Sequence, residues 1–157
     1  HMLTATGGQA VIYHCFQKYA PKRTTAYRRQ NGVMVATAGG QATTYSMINL
    51  SQRGILLVEP QDVIYAGQIV GENARDSDLG VNIVKGKAFS NVREANKEAT
   101  VVLKASRETT LESGLEYIQD DELVEITPDA IRLRKRILDE SKRKQVARHQ
   151  KTAAAGK

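Results

Sequence analysis

Three arginines stand two residues apart in Ile131-Arg132-Leu133-Arg134-Lys135-Arg136-Ile137. In an extended strand alternate residues share a face and lie roughly 6.6 Å apart. Arg132, Arg134 and Arg136 then form one cationic ridge, while Ile131, Leu133 and Ile137 face the other way and Lys135 interrupts the apolar side. A planar guanidinium can bind two oxygens at once, so the ridge suits phosphate. It also suits cross-strand pairing with Glu122 and Glu125 on a partner strand, and both readings stay open. Lys142-Arg143-Lys144 continue the positive charge beyond the strand. A second basic stretch holds Lys85, Lys87, Asn91, Arg93 and Lys97 around one aromatic, Phe89, with no regular period. Such a long loop in a small domain is uncommon unless it is functional or mobile.

Groups for covalent chemistry are missing or badly spaced. The chain has no G-x-x-x-x-G-K-S/T phosphate loop. His14 and His149 show no metal-ligand spacing, and His1-Met2 reads as a tag scar. Cys15 directly follows His14, and adjacent strand residues face opposite ways, so they do not form a nucleophile–base pair. One cysteine closes no bridge and builds no multi-thiolate zinc site, which fits a reducing compartment. Asp76, Asp78, Asp120 and Asp121 would serve hydrolysis only if a cleft set two of them roughly 5–9 Å apart; a solvated surface is the plainer reading. No catalysis, metal or cofactor is expected in this segment.

The charge is unevenly spread. Residues 131–157 hold ten Lys/Arg against two acids, and residues 1–130 hold thirteen against fifteen, within a net charge of +6. A nearly neutral body with a basic arm points to an anionic partner or to an idle, solubilising tail. With 157 residues and 41% hydrophobic content the chain can build a core, and no apolar run is long enough to span a membrane.

The elements that must position these groups are short. Runs at 10–13, 32–36, 41–45 and 55–58, separated by glycines, read as strands. The pair 33–37 and 41–45 around Ala38-Gly39-Gly40 reads as a hairpin, and Tyr45 to Gln52 as a helix stopped by Gly54. Thr100 to Lys104 reads as a strand. Thr110 caps a helix whose Leu111, Leu115 and Ile118 share a face. Glu122–Thr127 and Ile131–Leu138 form a hairpin through Pro128-Asp129. Residues 139–148 favour a helix, but one too polar for a core, so a frayed or extended arm is expected, with a mobile tail from Thr152. The predicted class is α+β: a mainly antiparallel sheet or barrel-like domain with a few short helices and a basic C-terminal arm.

Several blocks resemble a known family. They are Arg29-Gln30-Asn31-Gly32-Val33, Asn49-Leu50-x-x-Arg53-Gly54, Tyr65-x-Gly67-x-Ile69-Val70-Gly71-Glu72, Arg75-x-x-Asp78-Leu79-x-Val81-Asn82, Gly86-Lys87 and Asn91-Val92-Arg93. Leu111-Glu112-x-x-Leu115-Glu116-Tyr117-Ile118-x-Asp120-Asp121-Glu122-Leu123-Val124-Glu125-Ile126-Thr127-Pro128, followed by Ile131 to Arg136, completes the set. Together they resemble the C-terminal region of the TypA/BipA ribosome-associated GTPases. Leu3 to Tyr19 resembles the last strand of an elongation-factor-G-like fifth domain. The implied division is 1–21 for that strand remnant (1–2 being the scar), 22–139 for the family's C-terminal domain and 140–157 for a basic tail.

The resemblance implies a ribosome-binding module of a translational GTPase. Its GTPase domain would lie outside this chain, with GTP and Mg expected only there. The implied partners are the large ribosomal subunit, ribosomal RNA near the A site and the tRNA acceptor end. A cytoplasmic monomer with no membrane contact and a link to stress response is also implied. By position, Arg75, Lys85, Lys87, Asn91 and Arg93 become RNA contacts, and Lys97 keeps charge nearby. Arg132, Arg134, Arg136, Lys142, Arg143 and Lys144 join them on the charge argument alone. The alternative is a structural or protein-interaction domain whose arm binds an acidic protein.

Overall fold

Val33–Ala36 is apolar at every position, which suits a strand buried on both faces. The computed structural model describes residues 2, 6–21, 29–86, 103 and 105–155, and in it this run is β1, an interior strand of a four-stranded sheet. Around it follow β2 (Gly40–Gln41), α1 (Thr44–Ser51), β3 (Gly54–Leu56), β4 (Val63–Ile64), β5 (Ile69–Asn73) and β6 (Leu79–Val81). Then come α2 (Leu111–Tyr117), β7 (Glu122–Ile126), β8 (Ile131–Lys135) and α3 (Glu140–Ala155). The main sheet runs β3-β5-β1-β6, and β2-β4 and β7-β8 form two ribbons. All pairs are antiparallel except β1–β6. The architecture is therefore α+β, as expected, and no barrel closes among the described residues.

Alternation along β1 divides the core into two layers. Met34 and Ala36 join Val70, Leu56, Ile64, Ile83, Met47 and Leu50 on the face covered by α1 and the β2–β4 ribbon. Val33 and Val35 join Ile69 and Leu133 on the other face, where Val124, Tyr117 and Ile118 close over them. The β7–β8 hairpin thus docks on the sheet, and its last strand is stitched there by the Lys135 N–H, which donates to Gly67 O at 2.9 Å.

The hairpin through Pro128-Asp129 forms as expected, and its register sets Glu125 opposite Arg132 and Glu122 opposite Lys135. Thr110 caps α2 through a capping box with Ser113. Other expectations change. The hairpin over 33–45 is absent: β1 pairs with β5 and β6, and β2 with β4. A wholly apolar strand gains more from an interior position than from a two-stranded ribbon. Thr43, read as strand, caps α1, its hydroxyl accepting from the Ser46 N–H. Gly54 does not end that helix but opens β3, where a Cβ would lie 1.9 Å from Glu72 O.

Leu111 and Leu115 are exposed; Gly114, Tyr117 and Ile118 supply the packed side of α2, because glycine lets the helix approach Leu133. Residues 10–13 make no strand, and Val11, Ile12 and Tyr13 are exposed. A strand needs a ladder partner, and the sheets are built from other segments. Of the 100–104 strand, only Leu103 is described. The arm is helical over Glu140–Ala155 rather than frayed. Asp139 accepts from the Lys142 N–H at 3.0 Å, Lys144 pairs with Glu140 at 2.6 Å, and good helix formers follow.

Candidate functional site

β8 places the ridge. Arg132 is half-buried and lines a cavity of about 110 Å³ together with Asp62 and Gln68. Arg134 sets its Nε 3.7 Å from Glu125 Oε2, an oxygen that also accepts the Tyr65 hydroxyl at 2.7 Å. Burial, then this hydrogen bond and the charge of Glu125, push the Tyr65 pKa up to about 12. Arg136 lies past the end of the strand and is exposed, with its N–H donating to Asp121 O. The expected three-arginine ridge is thus reduced: one member is half-buried, one is paired and one has left the strand.

The expected second partner, Glu122, is not available to the ridge. It points to the buried side with its side chain fully enclosed, where Arg29 forks onto both its oxygens at 2.8 and 3.1 Å. The Gln119 N–H donates to it, and Lys135 Nζ lies 3.0 Å away. Lys135 also reaches Asp78 at 2.6 Å and Asp121 at 2.8 Å. Burial by itself pulls the Lys135 pKa down, but the hydrogen bonds its ammonium donates to Asp121 and Asp78 and the charge of Glu122 outweigh it and leave it raised. The residue that broke the apolar alternation is therefore a structural cation. Its only sequence signal was that irregularity.

On α3, Lys142 is exposed, and Lys144 is exposed but paired with Glu140. Arg143 turns back, its Nη1 donating to Ile137 O at 2.9 Å and Leu138 O at 2.6 Å, so it anchors the helix to the preceding chain. Lys85 is exposed at the edge of the basic stretch, and its carbonyl accepts the hydroxyls of Thr43 and Ser46 at 2.7 Å each. Helix α1 thereby fixes where that stretch leaves the core. Lys87, Asn91, Arg93 and Lys97 lie outside the described residues.

Arg75 occupies a different place. It lines a cleft of about 550 Å³ at the end of the main sheet, with Gln52, Arg53, Asn73 and Ser77. Among the described residues no other cation expected to touch RNA lines this cleft. Arg53 was not singled out as a contact, because a lone arginine at a helix-to-strand turn has no periodicity to mark it. Among the described residues no group of His, Cys, Asp and Glu is placed to hold a metal ion, and no helix is long and apolar enough to cross a membrane.

Residues 31–140 match the model of the TypA/BipA C-terminal domain. The chain is 42% identical over 152 residues to a Bacillus subtilis protein named large ribosomal subunit assembly factor BipA, covering 96% of this chain and 25% of that protein. A Haemophilus influenzae protein of the same name is 39% identical over 147 residues, or 93% of this chain and 24% of the relative. A Synechocystis protein of that name is 44% identical over 130 residues, or 83% and 22%. The chain spans about a quarter of the length of these curated relatives.

Proposed function

This chain belongs to the TypA/BipA C-terminal domain family, and we propose that it is the part of a translational GTPase that docks on the large ribosomal subunit. In this reading it does no chemistry itself, acts in the cytoplasm and holds ribosomal RNA near the A site and the tRNA acceptor end through phosphate contacts. Nucleotide hydrolysis belongs to other parts of the whole protein. One observation carries the reading: among the described residues Arg75, Lys85, Arg136 and Lys142 are exposed and form no ion pair. Unpaired surface cations on a near-neutral body suit a polyanion.

Co-sedimentation with isolated large subunits across a salt series tests it. Binding should weaken steeply with salt through counterion release. Reversing Lys85, Arg136 and Lys142 to Glu should weaken it further without lowering the melting temperature. Salt-insensitive binding, or equal binding by the reversed protein, would overturn the phosphate reading. Displacement by polyglutamate but not by RNA would favour an acidic protein partner instead.

A further inference from the structure

The cleft at the end of the main sheet combines features that the rest of the cationic surface lacks. Arg53 and Arg75 flank the start of β3 and the end of β5, where the Ala74 N–H donates to Arg53 O at 2.8 Å. Among the described residues neither guanidinium takes part in an ion pair or a side-chain hydrogen bond. Arg29, Arg107, Arg134, Lys135 and Lys144 all meet carboxylates. Among the described residues no acidic one lines the cleft; Gln52, Asn73 and Ser77 make its remaining polar wall.

The cleft is also built firmly. Buried Asn73 donates from Nδ2 to Ser77 O at 2.7 Å, pinning the loop that carries Arg75. The Gly32 N–H donates to Arg75 O at 2.7 Å, and a Cβ on Gly32 would lie 2.3 Å from the Ser77 backbone, so only glycine allows the loop to sit this close. The fixed backbone removes the cost of ordering the loop, so only the rotamer freedom of the two side chains is lost when their planar forks bind oxygen anions. About 550 Å³ exceeds what a bare phosphate needs and falls within the range of sites that hold a whole small ligand.

We propose that the Arg53–Arg75 cleft seats a phosphate and its ribose from a single RNA strand, with both guanidinium groups on phosphate oxygens and the neutral polar wall facing the sugar. This rests on the RNA-docking reading and deepens it, naming how Arg75, together with Arg53, holds the strand.

The test uses the whole chain, labelled so that arginine Nε–Hε signals are resolved, with oligouridylate, its DNA counterpart and inorganic phosphate as probes. Oligouridylate should shift the Arg53 and Arg75 signals, and it should do so more strongly than DNA or phosphate at equal phosphate concentration. R53Q/R75Q should fold normally and lose about ten- to a hundredfold in RNA affinity at low salt. Its log–log salt slope should fall by about 0.7, for the one phosphate the two arginines neutralise. Unchanged affinity and slope, or equal shifts from DNA or phosphate, would overturn the proposal. If the unaltered chain fails to sediment with subunits while oligouridylate still shifts both arginines, the ribosomal reading falls and the cleft stands. If subunits bind and R53Q/R75Q matches the parent in both assays, the cleft alone falls.

Discussion

The Lys135 ammonium lies 2.6 Å from the Asp78 carboxylate, and the other oxygen of Asp78 accepts the Val33 N–H at 2.9 Å. One carboxylate therefore ties the last strand of the β7–β8 hairpin to the first residue of the sheet's interior strand. Asp121 and Glu122 complete the cage around a lysine side chain that is only 3% exposed. The hairpin that presents Arg132 and Arg134 is held by this buried charge as well as by Leu133 and Val124.

Lys135→Met should unfold more readily by urea. Removing one partner of a buried pair costs about 3–5 kcal/mol. The lower end is expected, because Asp78 and Asp121 are 45% and 64% exposed and water would re-solvate them. A loss below about 1 kcal/mol would show that the cage does not hold the hairpin.

Stability should fall in the alkaline range. Lys135 has a raised pKa in the fold, so its contribution is fully present below the ordinary lysine value and disappears as pH rises through the folded value. Tyr65, pushed up to about 12, has the same sign: the folded state favours its protonated form, and this support is lost from pH 10 upward. Ultraviolet titration of Glu125→Gln should show Tyr65 ionising at lower pH than in the parent, yet still above 10, because burial is the larger cause.

Tyr117→Phe should leave stability unchanged or slightly higher. The Tyr117 hydroxyl is buried with no hydrogen-bond partner among the described residues, while the Arg29 guanidinium stacks 4.4 Å from the ring centre. Phenylalanine keeps the ring and removes an unsatisfied polar atom. Tyr117→Ala should lose about 3–5 kcal/mol in thermal unfolding, though half-burial places it toward the lower end.

Gly54→Ala should disrupt the β3–β5 edge, since its Cβ would meet Glu72 O at 1.9 Å, a backbone atom with no rotamer to yield. A loss of about 1–3 kcal/mol or more is expected. Gly86→Ala is the control: nothing among the described residues lies within 4 Å, and the change should stay within about 0.5 kcal/mol. Melting temperatures of the two variants decide it.

Arg134→Glu and Arg136→Glu should separate folding from binding. Arg134 faces Glu125 and is about one-third exposed, so its reversal should lower the melting temperature as well as RNA affinity. Arg136 is exposed and forms no ion pair among the described residues, so its reversal should lower affinity alone.

The features legible along the chain are local or periodic. Thr110 as a helix cap, Pro128-Asp129 between two β-rich runs, the apolar stretch Val33–Ala36 and the basic arm each carry their signal within a few residues. The ordered blocks of family resemblance extend that legibility to 31–140. Tertiary structure alone decided which charges are spent inside. Arg29 finds Glu122 across 93 positions, and Lys135 turns inward because Asp78 arrives from a distant loop. It also decided that Gly54 serves close strand approach rather than a helix end, and that Arg53 and Arg75 share a cleft. A charged side chain looks the same in sequence whether it faces water or a carboxylate. Which it does depends on the balance between desolvation and pairing, and the partners that set that balance are brought together only by the fold.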